Sequence, residues 1–369
     1  MKSILAKRVW TSGGWVENAR VHIDGSVISR ITQDATGEPD VPVLIPGMID
    51  LHIHGCMGYN CATHLEAEKA EQWLHDLAQH GVTGVLPGLS TGPVDRMREG
   101  MDFFAHYYEN PVARCARVHG IHLEGPFCNP VKKGGMNEKY MIAPTVENYE
   151  AIVGDKGYAV RLLALAPELP GAVDLIRWLV KRNVPVNACH SNATCEEMNT
   201  AIEAGLTGVT HFFNAARPIA HRDPGLLVAA MIVPHVFCEL VGDQVHVRPE
   251  VIRMLVQAMG PRRIALITDC GELTGLPDGR YGDLVVVDGS PRKLDGTLTG
   301  SCKLMDRMVR DLIAAGLDPW DVFCMACNTP ARRIGLTTHG DIAPRYTADL
   351  VAMTDDYQVL FPVIDGEKY

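Results

Sequence analysis

The chain lacks any uninterrupted apolar run of membrane-spanning length, and its opening residues, MKSILAKRVWTSGG, hold too short an apolar stretch for a secretory signal. Membrane insertion and export are therefore not expected, and a cytoplasmic location is. Basic tracts are missing too, and the formal net charge of −10 argues against nucleic acid as a partner. The eleven cysteines are odd in number and show no framework spacing, which suits reduced thiols rather than disulfides. One C-x-x-C exists, Cys324 and Cys327, inside DPWDVFCMACNTPARRIG. That stretch reads as an amphipathic helix, where i and i+3 share a buried face, and no second pair completes a zinc site. Core packing is the expected role of both. Solenoid-period repeats and low-complexity segments are absent.

What is present is an alternation. The 369 residues, 47% of them hydrophobic, suit a large enzyme-type domain with a small accessory unit. Apolar, β-rich runs fall at 43–53, 82–88, 117–124, 159–166, 184–190, 207–212, 236–242 and 263–269. Segments of helical periodicity separate most of them, among them HLEAEKAEQWLHDLAQHG, PGAVDLIRWLVKRN and RPEVIRMLVQAMG. Eight strands alternating with helices predict an α/β fold, a (β/α)8 barrel over residues 43–339. Residues 1–42 and 340–369 read instead as short strands with hairpin breaks, and predict one small β-domain built from both termini.

Polar residues cluster where those strands end. In PGMIDLHIHG, alternate side chains share a face, so Asp50, His52 and His54 point the same way. Glu124 ends the third run, His190 the fifth, His211 the sixth and Asp269 the eighth, while His246 follows the seventh. A lone histidine on an apolar face is most often a satisfied core residue. Five histidines and two carboxylates at successive strand ends are too many buried polar groups for one core to satisfy. They sit where this fold builds active sites, and they are the ligand types that zinc and iron prefer. His122, two residues before Glu124, shares its side and supports or packs against the others.

These motifs carry a resemblance. HLEGPF, HSNAT, THFFNA, RDPGL and TLTGS, with PGMIDLHIHG, KKG, LAPE and ADLV, make the chain similar to the N-acetylglucosamine-6-phosphate deacetylases of the amidohydrolase superfamily. The resemblance implies that Glu124, His190 and His211 bind a catalytic divalent metal, zinc before iron or another ion. Glu124 takes the place of the superfamily's strand-four lysine, since RLLALAPE has none. Because His52 and His54 are both present, one or two ions per subunit are expected. Asp269 is expected to move the proton from water to the departing amine, and His246 to orient or polarise the substrate. The family holds the substrate phosphate through positions matching Asn214, Ala215 and Arg222, the arginine reaching across a homodimer interface.

Four positions depart from the family pattern. Met136 stands where many members have histidine, Gln244 replaces a usual glycine, Arg217 is added, and Cys270 follows Asp269 in place of alanine. The leading expectation is hydrolysis of the acetamide of an N-acetylhexosamine 6-phosphate, N-acetylglucosamine 6-phosphate first. Two others stand beside it. One is a hydrolase of the same fold for another N-acyl substrate, such as N-acetylgalactosamine 6-phosphate, an unphosphorylated sugar or an N-acyl amino acid; Arg222 and Asn214 separate the uncharged substrates from the phosphorylated ones. The other is a non-catalytic scaffold, which would have lost metal-ligand residues.

Overall fold

The computed structural model describes residues 2–33 and 35–369. Eight strands run side by side in chain order: Met48–Ile53, Val82–Ser90, Ile121–Glu124, Val160–Leu165, Val186–Ala188, Gly208–Val209, Phe237–Val241 and Ile264–Ile267. Each is parallel to its neighbour. Closure between the eighth and first is polar. The Asp269 amide donates to the His52 carbonyl at 2.8 Å, and the Thr268 hydroxyl donates to Asp50 at 2.5 Å. The result is the expected (β/α)8 barrel.

The helices cover it with the faces their periodicity predicts. Ala67–Gln79 buries Ala70, Trp73, Leu74, Leu77 and Ala78, one stripe at i, i+3 and i+4 spacing. Cys195–Glu203 starts on a reciprocal cap, Thr194 accepting from the Glu197 amide and Glu197 accepting from the Thr194 amide. Cys324 and Cys327 are fully buried in a π-type turn, Cys324–Asn328, and pack as expected.

Both termini meet in a second sheet of seven strands. Its order is Glu367–Lys368, Val359–Ile364, Leu350–Met353, Val41–Pro46, Lys2–Thr11, Gly14–Asp24 and Val27–Thr32. This corrects the reading of 43–53 as one barrel strand and with it the boundary after residue 42. Val41–Pro46 pairs with Lys2–Thr11 and Leu350–Met353, and the barrel begins only at Met48. The break is at Gly47, where a β-carbon would stand 1.9 Å from the Thr83 hydroxyl oxygen, so only glycine lets the chain cross from one sheet to the other. Trp10 and Trp320 clamp the two units, stacked at 5.6 Å, each indole N–H donating to a carbonyl across the joint.

One element lies outside the predicted alternation. After the eighth strand, Gly279–Tyr281, Leu284–Val287 and Ser290–Lys293 form a small antiparallel sheet. Its Leu284 and Arg292 line the cavity at the barrel mouth.

Candidate active site

That cavity, about 680 Å³, opens at the carboxyl ends of the strands. Glu124 lies at its floor and is the hub of the polar groups. Its Oε1 is 3.0 Å from His211 Nε2 and 3.3 Å from His190 Nε2, and its Oε2 is 3.2 Å from His54 Nε2. The His52 and His54 Nε2 atoms are 2.9 Å apart. Asp269 Oδ1 stands 3.5 Å from the first of these and 3.6 Å from the second. His190, His211 and Asp269 all adopt left-handed backbone, with φ of +43°, +32° and +53°. Such backbone costs ~1–3 kcal/mol per residue, and here it turns each side chain off the strand direction and toward the common centre.

The outward nitrogens decide what fits between them. His190 Nδ1 faces the Lys132 carbonyl at 2.7 Å, His211 Nδ1 the Asn214 carbonyl at 3.2 Å and His54 Nδ1 the Gly88 carbonyl at 2.9 Å. His52 Nδ1 faces a Glu239 carboxylate oxygen at 3.4 Å. A carbonyl or carboxylate oxygen only accepts, so every Nδ1 carries a proton and every Nε2 faces inward, able to give its lone pair to a cation that displaces any proton held there. Four lone pairs and a carboxylate converging in a buried space call for a cation, and a divalent metal fits this donor set. The same crowding shows in the acid–base behaviour. Burial pushes His52 down, but the Asp269 and Glu124 carboxylates outweigh it and hold the ring well above its ordinary value. Burial pushes Glu124 up, and the His52 charge with hydrogen bonds from His190, His211 and His52 carries it well below the usual carboxylate range.

His246 lies on the cavity wall, away from the hub. Its Nδ1 donates to Asp243 at 2.8 Å, and the other Asp243 oxygen accepts the Val245 and His246 amides. Asn214 and Ala215 line the cavity as well. Arg222 does not: within one chain it is exposed and outside the cavity. Arg217 is occupied elsewhere, bound to Asp223 and to the Asn192 carbonyl. Met136 lines the cavity and accepts the Thr91 hydroxyl at its sulfur, 3.1 Å away. Gln244 needs φ of +66° and has a buried side-chain nitrogen without a partner, while the Cys270 thiol is buried against the Lys303 carbonyl.

Sequence reasoning missed several groups. Cys189 places its sulfur 3.5 Å from His211 Nε2 and 3.8 Å from Glu124 Oε1, within the donor cluster. Its position beside His190 was the available signal. Asp243, three residues before His246, was visible as the acidic group of the loop that follows the seventh strand. Arg292 had no signal, because the small sheet that brings it to the cavity was not anticipated.

A (β/α)8 barrel with histidine and carboxylate donors converging at its strand ends is the architecture of metal-dependent hydrolases. The chain belongs to the amidohydrolase family, whose sequence model matches residues 43–368. It is accordingly an enzyme of that metal-dependent family, with a candidate metal site in place. It is 31% identical over 380 residues to the N-acetylgalactosamine-6-phosphate deacetylase of Escherichia coli O157:H7, covering 98% of this chain and 97% of that one. It is 31% identical over 369 residues to the N-acetylglucosamine-6-phosphate deacetylase of Vibrio furnissii, covering 96% and 91%. The solved structure of a mutant N-acetyl-D-glucosamine-6-phosphate deacetylase from Mycobacterium smegmatis, in complex with N-acetyl-D-glucosamine-6-phosphate, superposes with a TM-score of 0.92 at 29% identity, covering 99% and 98%. Among the described residues no helix is long and apolar enough to cross a membrane.

Proposed function

We propose that this protein hydrolyses the acetamide of an N-acetylhexosamine 6-phosphate, N-acetylglucosamine 6-phosphate in the first place, to the free amino sugar phosphate and acetate. One observation carries the reading: inward-facing Nε2 atoms and Glu124 converge beside Asp269 in a cavity, in a chain similar to deacetylases of such sugars over nearly its whole length.

Glu124, His190 and His211 would hold one divalent ion, and His52 and His54 with the second Glu124 oxygen another. Imidazole and carboxylate donors suit zinc, and the nearby Cys189 sulfur leans the same way. A bound ion supplies Lewis acidity, lowering the pKa of water from about 15.7 to about 7 and polarising a carbonyl. Asp269, beside the hub yet partly open to the cavity, accepts the proton of the attacking water. It returns that proton to the nitrogen as the C–N bond breaks, so the amine leaves neutral. His246, its Nδ1 proton taken up by Asp243, presents Nε2 to the cavity and orients the substrate. Asn214 and Ala215 bind the phosphate end, and the exposed Arg222 serves the cavity of a second copy, which makes the working unit a homodimer.

The galactose epimer is the second reading, and the likeness to the Escherichia coli N-acetylgalactosamine-6-phosphate deacetylase favours it. Acetate release from both phosphorylated epimers, their unphosphorylated forms and an N-acyl amino acid, with metal content measured on the same sample, tests both. A phosphorylated sugar is expected to be the best substrate. Absence of acetate from every phosphorylated sugar, with the metal bound, would refute the proposal.

A further inference from the structure

A carboxylate inside a barrel needs a counter-charge, and Glu239 has one at one remove. Its side chain, 3% exposed, lies on the seventh strand with Oε2 3.4 Å from His52 Nδ1. Its Oε1 accepts from Asn187 Nδ2 at 2.9 Å, a nitrogen that also donates to the Thr210 hydroxyl at 3.0 Å. The Asn187 carbonyl oxygen in turn accepts from Arg333 Nη2 at 2.7 Å. Arg333 is buried on the helix Thr329–Arg333, and its Nη1 donates to the Thr207 hydroxyl at 2.8 Å.

The order of donors along this row is forced. Arginine only donates and a carboxylate only accepts, so the Asn187 oxygen must face Arg333 and its nitrogen must face Glu239. Glu239, accepting at both oxygens, then keeps the His52 proton on Nδ1. The Nε2 lone pair is left pointing at the hub. Neither Asn187, Glu239 nor Arg333 lines the cavity, so none of them meets a substrate.

We propose that Glu239 is a positioning residue for His52, held in place by Asn187 and Arg333, and that this buried row sets the affinity of the ion held by His52 and His54. The inference rests on the proposed reading of His52 as a metal ligand. Partners of this kind, behind a metal-binding histidine, typically change affinity by ~10–100-fold when removed.

The test is a titration of metal-depleted protein with Zn²⁺, and with Co²⁺ as a spectroscopic probe, alongside thermal melts. The wild type should take up two ions. Glu239→Gln should retain the ion of Glu124, His190 and His211 and bind the second ~10–100-fold more weakly, with the cobalt spectrum of the second equivalent altered. Arg333→Met should lower the melting temperature, because it strands the Glu239 charge. The double variant Arg333→Met, Glu239→Gln should recover most of that loss while the second ion stays weak, a separation that a merely structural role would not give. A folded double variant with wild-type affinity for the second ion overturns the proposal. His52→Ala is the control for the underlying reading: if it leaves uptake at two ions, His52 is no ligand, whatever Glu239 does. His122 needs its own variant, because its Nδ1 faces the Leu51 carbonyl at 3.1 Å and its Nε2 is buried without a partner near the same groups. Loss of an ion in His122→Leu would make Glu239 a direct ligand and overturn the positioning role.

Discussion

Replacing Asp243 with asparagine keeps the shape of the seventh-strand loop and removes the charge that faces His246. Burial pushes the Asp243 carboxyl up, and the bond and charge of His246, with the amides of His246 and Val245, bring it down to about 2 from its ordinary 3.8. At ~1.36 kcal/mol per pH unit that gap corresponds to about 2 kcal/mol, within the ~1.5–3 kcal/mol of a charge-assisted hydrogen bond. His246 responds in the opposite sense. Burial lowers it, but the Asp243 bond and charge raise it above its ordinary value, Asp269 adding to them and Arg292 opposing. The carboxylate's share of stability is complete above pH 3.8 and is lost as pH falls toward 2. The histidine's share is complete below pH 6.5 and is lost as pH rises through its raised value. Asp243→Asn should therefore lower the melting temperature most between about pH 4 and 6.5, and less in alkali. In acetate-release assays, the limb of the kcat/KM profile set by His246 should move down toward 6.5. A variant with the wild-type profile and melting curve across pH 5–9 would refute this account of His246.

Chelation should abolish activity and divalent metal should restore it, and His190→Asn should lose an ion and turnover together, as metal analysis of the purified variant checks. Asp269→Asn should keep its metal while turnover falls ~10²-fold or more, because the proton carrier is gone and the metal-holding groups remain. Arg222→Ala should raise KM for a phosphorylated sugar by ~10-fold or more while hardly changing hydrolysis of the unphosphorylated one, since only the former makes a bidentate, charge-assisted contact. Dilution below the dimer dissociation constant should reproduce that KM change in the wild type, and sedimentation gives the constant.

The barrel was legible because its strands are short apolar runs bounded by turns, and the donor cluster because each member closes such a run. His52, His54, Glu124, His190, His211 and Asp269 all end up within one site for that reason. What the pattern hid is the inside of the barrel. Asn187 and Glu239 sit mid-run in VPVNACH and VFCELVG, and only the closed sheet shows that Glu239 faces both Asn187 and His52. The strand boundary at Gly47 was hidden for a related cause. VLIPGMIDLHI is apolar throughout because both of its halves are buried, one in each sheet, so hydrophobicity alone could not divide it. Arg222 lies at the other extreme: its exposure on a single chain gives its proposed use to the likeness with other deacetylases, not to contacts within this molecule.

The terminal sheet imposes an order on synthesis. Val41–Pro46 can pair with Lys2–Thr11 as soon as both have emerged, but its other neighbour, Leu350–Met353, is made about 300 residues later. At ~5–20 residues per second, the nascent chain carries an open, apolar strand edge for roughly 15–60 s while the barrel forms behind it. A row of unpaired backbone groups exposed for that long is an invitation to pair with a neighbouring nascent chain. Slowing translation ahead of Leu350 should therefore lower the soluble yield, whereas the same pause placed ahead of Val41, before the edge strand has been made, should not.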